Sequence, residues 1–354
     1  MNILSPITLG RYNLPNRVIM APLTRMRAPH GLANSLIAEY YAQRATAGLI
    51  ISEATSISTQ GIGYPNIPCI YTAEQIEAWK IVTSAVHQHN GRIFLQLWHV
   101  GRISHPDYHQ GELPVSSSAI AAKGQAVTPK GYKPFVTPHA LTVDEIQNIV
   151  EDYRKAAENA LAAGFDGVEI HGANGYLIDQ FLRNGVNQRE DDYGGSIENR
   201  TRFLLEVTNA VVSVWGSDRV GVRLAPSGTF NDMTDSDPEG LFTYVLQQLN
   251  PFNLAYLHIV DALEGDIRHG ANVVELKKLR QAYNGNLIVC GGYDYEKANH
   301  AIQENLADAV AFGQLYIANP DLVERFKQHA PLNKPDPSTF YGGNEKGYTD
   351  YPSL

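Results

Sequence analysis

The stretch Gly167-Val168-Glu169-Ile170-His171-Gly172-Ala173-Asn174-Gly175-Tyr176 decides how the rest of the chain is interpreted. A β-branched run begins at its first glycine and predicts a short buried strand over 167–170, with His171 at its end. An imidazole N–H and a carboxamide N–H, from His171 and Asn174, can both donate to one substrate oxygen. A phenol two residues on, Tyr176, can deliver a proton to a neighbouring atom. Two hydrogen-bond donors and a proton donor in this arrangement are suited to activating an electron-poor C=C, C=O or nitro group.

Each of these side chains alone could be structural, since His171 could cap the strand and Tyr176 could simply pack. Three of them together at the break between a strand and a loop favour a functional role. Barrel enzymes keep their chemistry at the carboxyl ends of their strands.

Eight alternations of strand and helix predict a (β/α)8 TIM barrel, an α/β fold, with an N-terminal hairpin over 7–9 and 12–14. The predicted strands cover 17–21, 49–54, 93–98, 167–170, 220–224, 256–259, 287–290 and 309–312. A doubly wound sheet with a lid domain is the alternative. Against it, Gly61-Ile62-Gly63 follows no predicted strand and lacks the third glycine of a dinucleotide fingerprint.

Helix start signals lie between these strands, including the capping boxes that begin at Thr72 and Thr142. The predicted helices cover 35–47, 73–90, 143–163, 197–215, 238–249, 273–283, 295–304 and residues from 320. Residues 99–141 are rich in proline and glycine and predict an inserted excursion after the third strand, with a hairpin lid. We expect one domain over 1–354, with a tail from 331 over the surface.

Composition excludes several classes of protein. The 354 residues carry a net charge of −9 and no Lys/Arg-rich stripe, which argues against nucleic acid. No apolar run approaches a membrane span, and the start lacks the pattern of a secretory signal. Two distant cysteines exclude a disulfide framework, so a cytoplasmic protein is expected. Without CxxC or HExxH motifs, no metal site is expected.

Unusual residues recur at the predicted strand ends. They are Thr24, Ala54, Gln96, His171, Arg223, Gly291, Gly292 and Gly313. A buried strand arginine is costly unless it meets an anion or acceptors, although Arg223 could instead pair with a buried carboxylate. Glycines after the seventh and eighth strands let backbone N–H groups approach a phosphate, although they could also be plain turns.

Several longer motifs now make the sequence recognisable. They are Ala21-Pro22-Leu23-Thr24-Arg25, Gln96-Leu97-Trp98-His99, His171-Gly172-Ala173-Asn174-Gly175-Tyr176, Asn187-Gln188-Arg189, Tyr193-Gly194-Gly195-Ser196-Ile197-Glu198-Asn199-Arg200, Gly221-Val222-Arg223-Leu224 and Ile317-Ala318-Asn319-Pro320-Asp321-Leu322. Together they resemble the Old Yellow Enzyme family of FMN-dependent ene reductases, within it the N-ethylmaleimide reductase and pentaerythritol-tetranitrate reductase group. The resemblance runs over residues 4–351.

The resemblance implies bound FMN, with NADPH or NADH as hydride donor, and ping-pong hydride transfer through flavin N5. It places the flavin on Pro22, Leu23, Thr24, Ala54, Gln96, His171, Arg223, Gly291, Gly292, Gly313 and Gln314. It places the substrate, an activated alkene or nitro compound, on His171, Asn174, Tyr64, Trp98, Asn231 and Tyr341. Tyr176 would be the proton donor, for which an ordinary phenol pKa is suited. The oligomeric expectation is a monomer or weak homo-oligomer.

One position departs from the family pattern. The family typically has an arginine after the glycine of the eighth strand, where this chain has Gln314. That arginine holds the FMN phosphate, and a charge-assisted hydrogen bond contributes about 1.5–3 kcal/mol against about 1 for a neutral one. The only other cation between residues 291 and 317 is Lys297, on a predicted helix. We therefore expect weaker retention of FMN.

Two other functions are compatible with parts of the pattern. A cofactor-free isomerase or aldolase could use His171 and Tyr176 as acid and base, and the pure protein would then be colourless. A flavin-binding barrel without turnover would be yellow, but NADPH would not bleach it anaerobically.

Overall fold

The computed structural model describes residues 1–264 and 272–354 and contains a closed barrel of eight parallel strands. In chain order the strands are β1 (Val18–Met20), β2 (Leu49–Ile51), β3 (Ile93–Trp98), β4 (Gly167–His171), β5 (Val220–Leu224), β6 (Tyr256–Val260), β7 (Leu287–Cys290) and β8 (Ala309–Phe312). β8 pairs with β1, with Ala311 opposite Ile19, and β3 pairs with β4. The predicted (β/α)8 barrel is confirmed.

Alternate residues of each strand face opposite sides of the barrel wall. On β4, Val168 and Ile170 belong to the apolar core under the helices, whereas Glu169 and His171 lie on the other face, inside the barrel. Gly221 of β5 is needed for this packing, because a Cβ there would meet the Tyr256 ring at 2.3 Å. Side chains therefore fill the barrel, and its carboxyl end is left for a site.

Helices cover the outside of the barrel. They are Ser35–Ala42, Ala73–Gln88, Val143–Ala162, Leu177–Leu182, Ile197–Trp215, Pro238–Leu249, Leu276–Ala282, Tyr295–Gln303, Gln314–Ala318 and Leu322–Gln328. Both predicted capping boxes are present, at Thr72 and at Thr142. Asn34 and Ser196 cap two further helices through side-chain oxygens that accept backbone N–H groups.

Some predicted boundaries were wrong. The first helix ends at Ala42 rather than near 47, because the chain then tightens into turns in which Ala45 and Ala47 donate to carbonyls three residues back. The predicted helix over 273–283 is shorter, Leu276–Ala282. A short helix, Gln314–Ala318, precedes the last one, which begins at Leu322 instead of at Pro320.

The excursion after β3 contains a two-stranded hairpin, Gln125–Thr128 with Gly131–Pro134. The C-terminal tail is held against the start of the chain by buried arginines. Arg25 donates to the carbonyls of Phe340 and Gly347, and Arg27 donates to that of Asn344. These bonds hold the tail segment that carries Tyr341.

Candidate active site

His171 lies at the carboxyl end of β4, level with Arg223 on β5. Its Nδ1 accepts the backbone N–H of Ala173 at 3.3 Å. Burial, with a smaller contribution from Arg223, holds the pKa of His171 well below its ordinary value. The imidazole is therefore neutral, and its proton is on Nε2, because Nδ1 serves as an acceptor. His171 can thus donate one hydrogen bond to a ligand.

The loop after β4 has an unusual backbone that positions Asn174. Asn174 and Gly175 have φ angles of 59° and 77°. A Cβ on Gly175 would meet the Phe230 carbonyl oxygen at 2.7 Å, so glycine is required there. Asn231 donates to the Asn174 carbonyl at 2.8 Å, and Asp179 accepts the Gly175 N–H at 2.8 Å. Among the described residues the Asn174 Oδ1 is buried without a partner. This oxygen can only accept a hydrogen bond, so donation to a substrate oxygen would fall to Nδ2 of the same amide.

Tyr176 joins an aromatic cluster with Trp98, His171 and Tyr64. Its ring is 4.9 Å from Trp98 and 5.0 Å from His171, both edge-on. Its hydroxyl lies 3.2 Å from that of Tyr64. Trp98, His171 and Tyr64, which the sequence predicts for substrate binding or catalysis, therefore lie around Tyr176.

The acidity of Tyr176 differs from the expectation of an ordinary phenol. Burial raises its pKa well above the usual value, and Tyr64 raises it further, while a hydrogen bond with Asn231 lowers it. Tyr176 is thus protonated at all neutral pH values. It is a weaker acid than expected, so it can only protonate a strongly basic atom.

Gln96 and Arg223 lie inside the barrel beside this cluster. The Gln96 backbone N–H donates to Ser52 Oγ, and its side-chain amide donates to Glu169 at 2.8 Å. Arg223 donates to Cys290 Sγ at 3.5 Å, and its Nε has no partner among the described residues. Over the same residues no carboxylate lies within ion-pair distance of Arg223, so the alternative of a buried carboxylate partner is not observed.

Glycines directly follow the last two barrel strands, β7 and β8. Gly291 and Gly292 have φ angles of 107° and 82°. Gly313 follows the neighbouring strand β8, and a Cβ there would meet Leu23 Cδ2 at 3.3 Å. Gln314 is exposed and begins the short helix Gln314–Ala318. Lys297, which sequence reasoning set aside, places its ammonium 3.5 Å from the Gly292 carbonyl oxygen.

The other predicted site residues lie around the mouth of the barrel. Ala54 is buried and packs in one apolar cluster with Trp98 and Tyr176. Pro22, Leu23 and Thr24 are partly buried directly after β1. Tyr341 is 64% exposed on the tail, yet it is close enough to contribute to the raised pKa of Tyr64, about 12, which is mainly due to burial.

Sequence reasoning missed two fully buried residues below the mouth. Glu169 and His258 are both 0% exposed, and His258 Nδ1 lies 2.9 Å from Glu169 Oε2. The alternation along β4 could have found Glu169, because it shares its face with His171. His258 gave no comparable signal, because nothing in the sequence indicates that β6 faces the same polar cluster.

This donor set fits a large planar anion-bearing cofactor. Arg223 offers a cation with a buried unpartnered nitrogen, Gln96 offers an amide, and Gly291 and Gly292 offer left-handed backbone suited to a phosphate. Neutral His171 can donate to a substrate oxygen above it. Fold and site together define a barrel oxidoreductase that binds a flavin phosphate.

Comparisons with known proteins agree. The model of the NADH:flavin oxidoreductase / NADH oxidase family matches residues 2–333, and the chain belongs to that family. 12-Oxophytodienoate reductase 1 of Oryza sativa subsp. japonica is 47% identical over 363 residues, covering 99% of this chain and 93% of the relative.

Solved structures lead to the same family. Morphinone reductase in complex with tetrahydroNAD has a TM-score of 0.94 and 50% identity, covering 100% of this chain and 98% of the other. An old yellow enzyme homologue from Zymomonas mobilis has a TM-score of 0.98 and 44% identity, with 100% of both chains covered. The chain is therefore an FMN-dependent, NAD(P)H-using ene reductase of the Old Yellow Enzyme type. No helix within 1–264 and 272–354 is long and apolar enough to cross a membrane.

Proposed function

We propose that the physiological reaction is reduction of the activated C=C bond of α,β-unsaturated carbonyls, with maleimides and nitro compounds as further substrates. His171 and Asn174 hold the activating oxygen, and Tyr176 protonates the carbon α to the carbonyl. The observation that carries this proposal is the fixed tautomer of His171. Because Nδ1 accepts the Ala173 N–H, Nε2–H is available as a neutral donor, on a ring whose centre lies 5.0 Å from that of Tyr176.

Each residue has one task in this scheme. A neutral donor at His171 polarises the substrate oxygen without needing a titration near neutral pH. Tyr176 is a weak acid, so it releases its proton only once the α carbon has become strongly basic. Tyr64 and Asn231 can then donate to the phenolate oxygen that remains. Trp98 and Tyr64, whose rings stack at 5.5 Å, would line the substrate pocket.

FMN, when bound, would supply the hydride chemistry between NADPH or NADH and the β carbon of the substrate. Thr24, Ala54, Gln96 and Arg223 would hold the ring, with Pro22 and Leu23 beside it. Gly291, Gly292, Gly313 and Gln314 would hold the phosphate.

We further propose that residues 1–354 form one FMN-binding domain, with the excursion over 99–141 shaping the substrate pocket. The proposal also includes NADPH or NADH as donor, a cytoplasmic location and a monomeric or weakly oligomeric state. Two buried cysteines that do not bridge each other support a reducing compartment.

An anaerobic absorbance titration tests the function directly. Purified protein is loaded with FMN, then treated with NADPH and then with 2-cyclohexenone. We expect NADPH to bleach the yellow colour and the enone to restore it. A colourless protein that cannot bind FMN, or a yellow one that NADPH does not bleach, would contradict the proposal.

A further inference from the structure

A continuous set of buried polar side chains crosses the barrel below the mouth. Gln96 Nε2 donates to Glu169 Oε1 at 2.8 Å, and Glu169 Oε2 lies 2.9 Å from His258 Nδ1. His258 is level with Arg223 on the adjacent strand. Glu169 and His258 are both 0% exposed, so water does not screen the interaction between them.

Packing alone does not explain this pair. The next strand places Ile288 level with His258, inside the same barrel. Branched apolar side chains are the common filling of such barrels. Removing a carboxylate and an imidazolium from water costs several kcal/mol per ion, and replacing such a pair with apolar side chains is often neutral or stabilising. A functional reason for retaining the pair is therefore needed.

Glu169 fixes the orientation of the Gln96 amide. An ionised carboxylate only accepts hydrogen bonds, so the Gln96 atom facing Glu169 at 2.8 Å must be the nitrogen. The carbonyl oxygen of Gln96 is then the atom left for a ligand, and the amide cannot turn without losing this bond. An isoalloxazine ring carries an N–H donor that such an oxygen can accept.

His258 balances the charge of Glu169. Burial by itself lowers the pKa of His258, but the neighbouring Cys290 thiol and Glu169 carboxylate outweigh burial and raise the pKa. No described carboxylate is within ion-pair distance of Arg223, whereas Glu169 has His258 as its partner. The positive charge of Arg223 therefore remains available to an anion at the mouth. The groups around the pair are Arg223, Cys290, His171 and, beside Glu169, Tyr256.

We propose that Glu169 and His258 are positioning residues for the flavin: Glu169 orients Gln96, and His258 neutralises Glu169 so that Arg223 meets the ring as an uncompensated cation. This inference rests on the seating of FMN at the mouth that the proposed function requires. Glu169 and His258 would thus adjust flavin affinity and midpoint potential indirectly, through Gln96 and Arg223.

The test uses His258→Asn, Glu169→Gln and the double variant, with Ile288→Val as control. Asparagine keeps an N–H toward Glu169 but carries no charge. We expect His258→Asn to weaken FMN binding by about tenfold, the loss of one charged partner, and to lower the midpoint potential of the flavin. Glu169→Gln should weaken FMN with a smaller effect on potential. The double variant removes both charges and should recover most of the potential, and Ile288→Val should match wild type.

A second measurement on the wild-type protein covers the case in which His258→Asn does not fold. ¹⁵N-histidine NMR at pH 7, with the His258 signal assigned by its shift in Glu169→Gln, should show a His258 imidazolium. A neutral His258, or folded variants with wild-type FMN affinity and potential, would overturn the inference. Wild-type protein that binds no FMN would instead contradict the proposed function.

Discussion

The inside of this barrel has two unlike halves. From β3 to β6 the inner residues include Gln96, Glu169, His171, Arg223 and His258, all buried. From β7 round to β2 the apolar inner residues include three alanines, Ala309, Ala311 and Ala21, together with Ile288, Ile19, Leu49 and Ile51. The polar half provides side-chain donors and charge, whereas the apolar half is tightly packed and is followed by glycines at the ends of β7 and β8. The difference indicates that side-chain chemistry is concentrated on one wall, while the other wall offers backbone N–H groups.

We expect the side chains of the polar half to be essential for turnover but not for folding. Tyr176→Phe, in the loop that follows β4 of this half, should have the largest effect on turnover. We expect the oxidative half-reaction with 2-cyclohexenone to slow by about 10²–10⁴-fold, the usual contribution of a positioned acid. Reduction of the flavin by NADPH should be unchanged, as followed by anaerobic stopped-flow absorbance. Tyr64→Phe, which removes the neighbouring hydroxyl, is the matched control and should have a smaller effect. Equal slowing of both half-reactions would remove Tyr176 from this role.

A buried carboxylate, that of Glu53, lies just after β2 in the apolar half. Its burial should lower the free energy of unfolding at high pH. Burial raises the pKa of Glu53 to about 7, against smaller opposing effects of Arg25, Arg27 and Tyr41. The folded state therefore holds its proton more tightly than the unfolded state. Its stabilising effect is complete below the ordinary Glu pKa and is lost as the pH rises toward 7.

Glu53→Gln should remove this dependence. Relative to the variant, wild type should lose about 3 kcal/mol in the free energy of unfolding between pH 4.5 and pH 8. Urea unfolding at several pH values measures this difference. A wild-type-minus-variant difference that stays constant over that range would show that Glu53 does not titrate there.

Arg223→Leu, in the polar half, should raise the stability of the apoprotein and lower its affinity for FMN. Arg223 is a buried cation with an unpartnered Nε among the described residues, so leucine should stabilise the apoprotein. The same change should weaken FMN binding by about 10–100-fold, since a charged hydrogen bond contributes about 1.5–3 kcal/mol. Thermal unfolding of the apoprotein and fluorescence titration with FMN measure the two effects. Arg223→Lys, which keeps the charge, should bind FMN more tightly than Arg223→Leu.

The two halves were not equally predictable from the sequence. Strand and helix positions followed from periodicity and caps, and β3, β5, β7 and β8 were predicted with their observed bounds. The strand end at His171 and the following loop that carries Asn174 and Tyr176 could be predicted, because a break from strand to glycine-rich sequence is a local signal. The pairing of Glu169 with His258 could not, because it joins strands 89 residues apart and depends on barrel closure. The contact of Lys297 with Gly292 depends on how a helix follows its strand, which periodicity does not specify.

The smallest expected effect concerns the phosphate side of the apolar half. Gln314 carries no charge, whereas the Lys297 ammonium, about half exposed, lies 3.5 Å from the Gly292 carbonyl oxygen and 3.7 Å from the Asp294 carboxylate. Gln314→Arg should tighten FMN binding by about three- to tenfold, the difference between a neutral and a charge-assisted bond that is partly screened by solvent. Lys297→Met should weaken binding by a similar or smaller factor.

Combining the two substitutions tests whether Lys297 and a residue at position 314 serve the same phosphate. If Lys297 already supplies part of the charge that a family arginine would supply, Gln314→Arg should gain more in the Lys297→Met background than in wild type. Fluorescence titration of the four apoproteins with FMN at low and high salt gives this comparison, and the gain should shrink at high salt because exposed charges are screened. Equal or weaker FMN affinity in Gln314→Arg would mean that the backbone donors of the glycines alone determine phosphate binding. The apolar wall would then bind the phosphate through the shape of its backbone, and charge would contribute to FMN binding from the polar wall alone.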